Sequence, residues 1–255
     1  MKGTFLKKLA ALTLAFTTVV GGLGMTTAQA AQPKTLTGSY EVAQMVGDGY
    51  NGGVKGPISI TKGVYRNFIW KKDVYLITLS GTEMVKGQST GYMTDLLSGF
   101  NLKSPYYKNV VRVITNNIPK NANLILSGHS LGGMIAQQIA ADETIKKNYN
   151  IMNTVTFGSP LLSAGSREGT VKRLGDTSDV IPYASGSLIN NTAWAIAGLQ
   201  RENGGYGKDL LAAHTESYSR ADVWGKYDVT GTKHGKATLE LDLDTRTFYQ
   251  SPIWK

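Results

Sequence analysis

The chain has 255 residues, of which 41% are hydrophobic and 18% charged, a composition typical of a folded globular protein. It contains no cysteine, which excludes disulfide scaffolds, cysteine-based metal centres and thiol nucleophiles. The formal net charge is +9, but the basic residues are scattered and no nucleic-acid motif accompanies them. We therefore expect no nucleic-acid partner.

The first thirty residues have the organisation of a secretory signal peptide. Three lysines precede an apolar stretch from Leu9 to Val20, which is too short to cross a bilayer comfortably. Ala28-Gln29-Ala30 is a small-residue cleavage pattern. We expect residues 1–30 to be removed on export, so that the protein is secreted or periplasmic and residues 31–255 form a single domain. A retained membrane anchor is the alternative.

In chain order, the domain begins with a segment rich in glycine, asparagine and aspartate, which predicts irregular structure with a short helix near Tyr40 to Met45. Two strands are predicted next, Val64 to Trp70 and Val74 to Leu79. Lys71-Lys72-Asp73 stands between them as the predicted hairpin turn.

The middle of the chain alternates between predicted helices and strands. A helix is predicted from Ser104 to Pro119, because proline occupies its first position and apolar residues recur at helical spacing. Leu124-Ile125-Leu126 predicts a buried strand, and the helix Leu131 to Ala141 follows it directly. Met152 to Phe157 and Val171 to Leu174 predict two more strands. This alternation indicates a parallel α/β sheet.

The end of the chain has a different pattern. Apolar and polar residues alternate from Ala237 to Asp244, which predicts a half-exposed antiparallel strand paired with the segment before Gly231. The predicted fold class is α/β: a mostly parallel, hydrolase-like sheet with flanking helices and a C-terminal antiparallel strand or hairpin.

Two segments match the pattern Gly-x-Ser-x-Gly, one centred on Ser130 and one on Ser89. A nucleophile elbow needs a buried strand before the serine and a helix after it, because the sharp turn lifts the hydroxyl clear of the sheet. Ser130 has both neighbours, whereas Ser89 has neither. Ser130 is therefore the predicted nucleophile.

A serine hydroxyl needs a base, and hydrolases of this kind place an acid and then a histidine after the serine. His129 adjoins the serine, so we expect its side chain to point away from the base position. His214 is the favoured base and His234 the alternative. Asp179, after a late strand, is the favoured acid, with Asp176 as the rival in a turn-like segment.

An oxyanion hole needs two backbone N–H groups. Leu131, directly after the nucleophile, is placed to supply one. Leu79-Ser80-Gly81-Thr82 ends an earlier predicted strand, and Thr82 is placed there to supply the second.

These motifs together resemble the class 3 (fungal-type) lipases, within the α/β-hydrolase superfamily. The segments that carry the resemblance are Leu79-Ser80-Gly81-Thr82, Gly128-His129-Ser130-Leu131-Gly132-Gly133, Thr156-Phe157-Gly158-Ser159-Pro160, Asp179-Val180-Ile181-Pro182, and His214 with Tyr218. They follow the order of the family and span about Val64 to Tyr218.

The resemblance implies an α/β-hydrolase fold and the hydrolysis of acyl esters. It implies Ser130 as nucleophile, Asp179 as acid, His214 as base, and Thr82 with Leu131 as the oxyanion hole. It also implies a lid, for which Val85 to Asp95 is the candidate segment. We expect no cofactor and no metal, a lipid or ester substrate, and transient contact with a lipid surface.

Two other functions remain open at this point. An acyltransferase would use the same three residues with an alcohol in place of water. A non-catalytic lipid-binding protein would keep the scaffold without the chemistry. The sequence does not distinguish triglycerides, phospholipids and short soluble esters, and it gives no prediction of the oligomeric state.

Overall fold

The structure is a computed structural model, and it describes residues 32–81, 104–184 and 198–252. The predicted leader, Thr82 and the candidate lid from Val85 to Asp95 lie outside the described residues. The chain divides into two units, Met1–Ala30 and Ala31–Lys255, and the description below concerns the second.

The described strands form one sheet of eight. They are β1 (Lys34–Leu36), β2 (Ile58–Asn67), β3 (Trp70–Leu79), β4 (Asn123–His129), β5 (Asn150–Phe157), β6 (Thr170–Asp176), β7 (Leu199–Glu202) and β8 (Thr238–Tyr249). Their order across the sheet is β1-β8-β2-β3-β4-β5-β6-β7. Strands β3 to β7 run parallel, whereas β2, β8 and β1 add antiparallel pairs at one edge. This architecture confirms the predicted fold class.

The described α-helices connect and cover these strands. They are α1 (Ser39–Gly47), α2 (Pro105–Asn117), α3 (Leu131–Ala140), α4 (Glu143–Asn148), α5 (Leu210–Glu216) and α6 (Ala221–Trp224). Helix α2 begins where the sequence predicts. The Ser104 side chain caps it by accepting a hydrogen bond from the Tyr107 N–H, and Pro105 has no backbone N–H that would need an acceptor. No helix among the described residues is both long enough and apolar enough to span a membrane.

Strand β4 lies between two hydrophobic cores. Leu124 and Leu126 point into the core formed with α2 and α3, whereas Ile125 points into the core that contains Trp224 and α1. A central parallel strand is buried on both faces and therefore reads as a continuous apolar run. This burial holds the strand end that carries Ser130.

The hairpin between β2 and β3 corrects one prediction. The turn lies at Phe68 and Ile69, since Asn67 pairs directly with Trp70, and Lys71-Lys72-Asp73 belongs to strand β3. The charged triplet indicated a turn by composition, but its side chains are exposed at the end of a strand, where charge is tolerated.

The C-terminal strand is antiparallel as predicted, but its partner was wrong. Strand β8 pairs with β2 on one side and with β1 on the other. The segment before Gly231 contributes only a single bridge, between Tyr227 and Lys233. Alternation of apolar and polar residues identifies a strand, but it carries no information about a partner far away in the sequence.

Candidate active site

Ser130 occupies the sharp turn that the sequence predicts. Strand β4 ends at His129 and helix α3 begins at Leu131, so Ser130 is the single residue between them. Its backbone has φ 56° and ψ −125°, a conformation that non-glycine residues rarely adopt. Its N–H donates to the carbonyl oxygen of Phe157 on β5 at 3.0 Å. The turn is therefore strained and held in place by the neighbouring strand, as expected of a nucleophile elbow.

The glycines on either side of Ser130 are required by close backbone approach. A Cβ atom at Gly128 would overlap the carbonyl group of Gly132, and a Cβ at Gly132 would overlap the carbonyl of Leu79 on β3. Larger residues at either position would push helix α3 away from the sheet. The requirement for glycine at the first and last positions of the Gly-x-Ser-x-Gly pattern is thus steric in this fold.

Asp179 and His214 form a buried pair. Asp179 lies in the turn after β6, and His214 lies in α5. The His214 Nδ1 and Asp179 Oδ2 atoms are 2.8 Å apart, and both side chains are almost completely buried. Two further donors reach the carboxylate, namely the Tyr218 hydroxyl at 2.6 Å and the Ile181 N–H at 2.9 Å.

The surroundings keep the Asp179 carboxylate ionised at neutral pH. Burial acting alone would raise the pKa of Asp179. The charge and hydrogen bond of His214 oppose this, together with the bonds from Tyr218 and Ile181, so that the pKa lies below its usual value. Because the carboxylate accepts a hydrogen bond at Nδ1, the neutral imidazole carries its proton there and leaves Nε2 as the basic atom.

The rival residues have other contacts. Asp176 accepts hydrogen bonds from the Ser178 N–H, the Gly204 N–H and the Ser217 hydroxyl, which is a loop-organising role. His234 is exposed next to a tight turn, and its own N–H bonds to the carbonyl of Lys226. The structure therefore brings the side chains of Asp179 and His214 together, whereas the Asp176 carboxylate bonds to other groups and His234 is exposed.

Gly158 brings the pair close to the elbow. It follows Phe157, whose carbonyl holds the Ser130 N–H, and it has a φ of 53°. A Cβ at Gly158 would lie 2.8 Å from Asp179 Oδ2 and 3.0 Å from His214 Nδ1. The His214 ring is thus packed onto the backbone beside Ser130. A side chain at this position would displace the ring.

The Nε2 atom of His214 is buried and forms no hydrogen bond with any described group. A buried polar atom without a partner is costly, and such atoms are concentrated at functional sites. In a free enzyme, the hydrogen bond between a catalytic base and its nucleophile is often long, and it shortens when substrate binds.

One of the two predicted oxyanion donors is within the described residues. Leu131 is the first residue of α3, where backbone N–H groups have no acceptor inside the helix. Thr82 lies outside the described residues. The residue before it, Gly81, passes beside Ser130, because a Cβ at Gly81 would lie 3.1 Å from the Ser130 Cβ.

A hydrogen-bonded chain that the sequence did not predict connects both sides of the site. His129 Nε2 lies 2.8 Å from the carbonyl oxygen of His214, which can only accept, so Nε2 carries the proton. His129 Nδ1 must then accept from the Tyr50 hydroxyl, at 2.6 Å. The Tyr50 oxygen in turn accepts the Gly81 N–H at 2.8 Å.

This chain fixes two parts of the site relative to each other. It ties the backbone of His214 to the backbone that leads into Thr82. The His129 ring also packs against the His214 ring, with centroids 4.6 Å apart. His129 thus faces His214, the predicted base, although the sequence indicated that it points away. Tyr50 lies 79 positions from His129 in the chain.

His129 is held in its neutral form. Burial, followed by repulsion from His214, lowers the pKa of His129 to about 3, and the hydrogen bond to the His214 carbonyl opposes this only in part. A neutral ring is needed for the hydrogen-bonded chain, because a protonated Nδ1 can no longer accept from Tyr50.

We expect His129 to make the folded state sensitive to mild acid. In an unfolded chain a histidine takes up a proton near pH 6.5, whereas folded His129 resists protonation down to about pH 3. The free energy of unfolding should therefore fall as the pH drops below 6.5, by at most about 1.4 kcal/mol per pH unit from this residue. Urea unfolding of the wild type and of His129→Gln between pH 7 and pH 4 measures it. The variant should show the shallower slope, and equal slopes would contradict the assignment.

A cavity of about 530 Å³ opens beside His129 and His214. Helix α1 contributes Ala43 and Gly47 on one side, together with Tyr50 from the following loop, and His214 and Tyr218 line the other. This volume is in the range of small-molecule sites. Within the described part of the chain, no group of three or more histidine and acidic side chains is arranged to hold a metal ion.

The fold is that of an α/β-hydrolase, and Ser130 lies in a turn of the kind expected of a nucleophile elbow. The comparisons with known proteins give the family: the model of lipase (class 3) matches residues 59–182, from β2 through the loop after Asp179. Over these residues the chain matches the class 3 lipases, which confirms the resemblance. The match supports a lipase or esterase in the general sense, a hydrolase of lipid or other esters. The comparison with curated proteins gave no match.

Proposed function

We propose that the protein is an exported serine hydrolase that cleaves acyl esters of lipids through Ser130, His214 and Asp179. The observation that carries the proposal is the buried His214–Asp179 pair, packed beside the strained backbone of Ser130. The His214 Nε2 atom makes no hydrogen bond with any described group. The family match supports ester hydrolysis as the reaction. The residues from Lys2 to Ala30, in the pattern of a signal peptide, support export.

In this mechanism the Ser130 Oγ attacks the ester carbonyl carbon while His214 Nε2 takes the hydroxyl proton. The negative charge that develops on the carbonyl oxygen is stabilised by the N–H groups of Leu131 and Thr82. The carbon–oxygen bond to the alcohol then breaks, and His214 delivers its proton to the leaving alcohol. An acyl ester of Ser130 remains.

Water completes the cycle by the same route. His214 removes a proton from water as the water oxygen attacks the acyl carbon, and the proton then passes to the Ser130 oxygen as the carboxylic acid leaves. Asp179 stabilises the imidazolium that forms in each half-reaction and holds the ring orientation. Tyr218 supports this role because its hydroxyl donates to the same carboxylate oxygen as His214.

An assay with a graded set of esters tests the proposed reaction. We expect the purified protein to release carboxylic acid from a triglyceride, a phospholipid or a short soluble ester, without added metal or cofactor. Adding a long-chain alcohol separates hydrolysis from acyl transfer: a hydrolase continues to give mainly free acid. Mainly new ester in its place would identify an acyltransferase. If the folded protein hydrolysed no ester at all, the result would favour the hypothesis of a non-catalytic lipid-binding protein.

A further inference from the structure

The tip of the β2–β3 hairpin exposes large apolar side chains. Phe68 is 86% exposed, Ile69 80% and Trp70 41%. These three residues, here called the β2–β3 tip, are contiguous in sequence and project from the end of the sheet. Single exposed apolar residues are ordinary on protein surfaces, but a contiguous group with an aromatic pair is the kind of feature that marks an interaction site.

The residues of the turn are not those that a two-residue hairpin loop usually contains. Two-residue loops between twisted strands favour positive φ and residues such as asparagine and glycine. Here the loop is Phe68-Ile69, and neither residue has a positive φ. Local sequence that departs from local preference, with no gain inside the fold, is expected at functional positions. Neither side chain belongs to a hydrophobic core of the described residues.

Trp70 is held in position rather than loosely exposed. Its ring lies against Tyr65, with centroids 5.4 Å apart, and the Lys72 ammonium group lies 5.1 Å from its centre. An aromatic ring flanked by a lysine is well suited to the boundary between water and hydrocarbon, where the ring is buried and the ammonium group remains solvated.

The surroundings of the tip are basic. Lys71 and Lys72 follow it directly and form no salt bridge with any described residue. The acidic groups nearby are Asp73 and Glu240, and Glu240 interacts with Arg66 and Lys71. Exposed Lys236 precedes β8, whose first residue pairs with Arg66 beside the tip. Two more exposed lysines, Lys120 and Lys147, precede β4 and β5, which begin level with Val74, four positions along β3 from Trp70. An apolar wedge surrounded by lysines is complementary to a layer with an apolar interior and anionic headgroups.

The tip lies at the edge of the sheet opposite to the active site. Ser130 and Asp179 follow the carboxyl ends of the parallel strands, whereas Trp70 begins strand β3. Leu79 lies nine positions after Trp70 along strand β3, which corresponds to about 30 Å. The tip is therefore separate from the substrate cavity, and its role does not depend on the proposed catalytic residues.

We propose that the β2–β3 tip inserts into the surface of an anionic phospholipid bilayer, with the surrounding lysines on the headgroups. A bilayer accepts a narrow convex wedge. A protein interface needs about 800 Å² from each partner, and three side chains of this size supply roughly 500 Å².

Vesicle co-sedimentation tests this inference with the full chain carrying Ser130→Ala, so that no lipid is hydrolysed. Vesicles of phosphatidylcholine alone are compared with vesicles that also contain phosphatidylglycerol. We expect Phe68→Ser with Ile69→Ser to lower partitioning to the anionic vesicles by about tenfold or more. Lys71→Gln with Lys72→Gln should cause a comparable loss on anionic vesicles only, because each lysine contributes electrostatically.

Val54 supplies the matched control. It is 80% exposed, like Ile69, but it precedes β2 at the active-site edge. Val54→Ser should keep the binding, and the Phe68→Ser, Ile69→Ser variant with Ser130 restored should keep wild-type turnover of a soluble ester. The inference is overturned by unchanged vesicle binding in the tip variant, by equal loss in Val54→Ser, or by absence of binding to anionic vesicles. It is also overturned if the tip substitutions convert a self-associated protein into a monomer.

Discussion

Replacement of Ser130 by alanine should reduce kcat/KM for any ester substrate by about 10⁴- to 10⁶-fold, the range found when a triad nucleophile is removed. The physical reason is that alanine offers no oxygen for attack on the carbonyl carbon, so no acyl-enzyme forms. The fold should survive, because alanine and serine meet the same strain at a φ of 56° and the surrounding backbone contacts are unchanged. Turnover of a soluble ester and urea unfolding measure the two effects.

Ser89→Ala is the matched control for this prediction, because Ser89 lies in the second Gly-x-Ser-x-Gly segment. That variant should retain turnover. Residual activity of Ser130→Ala near the wild-type level would remove Ser130 from the mechanism. Loss of the folded state in the same variant would show instead that the serine has a structural role.

Replacement of Asp179 by asparagine should lower kcat by about 10⁴-fold with a much smaller effect on KM. The carboxylate oxygen now accepts from both His214 Nδ1 and the Tyr218 hydroxyl. An amide group is neutral and cannot stabilise the imidazolium, and an N–H directed at Nδ1 would select the wrong tautomer. Steady-state kinetics with a soluble ester gives the separation of kcat from KM.

Asp176→Asn provides the control for the acid, since Asp176 is equally buried and only three positions away. Its hydrogen bonds go to Ser178, Gly204 and Ser217. We expect this variant to lose roughly 1–3 kcal/mol of unfolding free energy and to keep turnover within about tenfold of the wild type. A loss of turnover as large as that of Asp179→Asn would mean that Asp176 shares the role of the acid.

The elbow could be predicted from sequence because all of its determinants are local. A buried strand, a serine between two glycines and an apolar helix follow one another within about twenty residues, and each element constrains the next. The strand run Leu124-Ile125-Leu126 and the start of α3 at Leu131 are found where the pattern places them.

The Tyr50–His129 chain could not be predicted from sequence, because its members are distant in the chain. Tyr50 lies in an irregular glycine-rich segment without any periodic pattern. Its contacts with His129 and Gly81 depend on how the loop after α1 packs against the ends of β3 and β4. The prediction of the partner of strand β8 failed for the same reason, since β2 lies about 180 residues earlier in the chain.

The prediction of the position of the hairpin turn failed for a different reason. Composition favours a turn at Lys71-Lys72-Asp73, because charged residues are common in turns and rare in strand interiors. The observed turn at Phe68-Ile69 exposes two residues that favour burial. A local rule is broken at the position for which we propose a lipid contact. That coincidence is expected where function opposes local preference.

Covalent labelling with a fluorophosphonate, read by intact mass and peptide mapping, tests the central claim most directly. The probe reacts with serines whose hydroxyl is activated by a neighbouring base, so the reaction depends on Ser130 and His214 together. We predict one adduct on the wild type, located on Ser130, and none on Ser130→Ala. No adduct on folded protein with or without lipid vesicles, or an adduct on Ser89, would contradict the account.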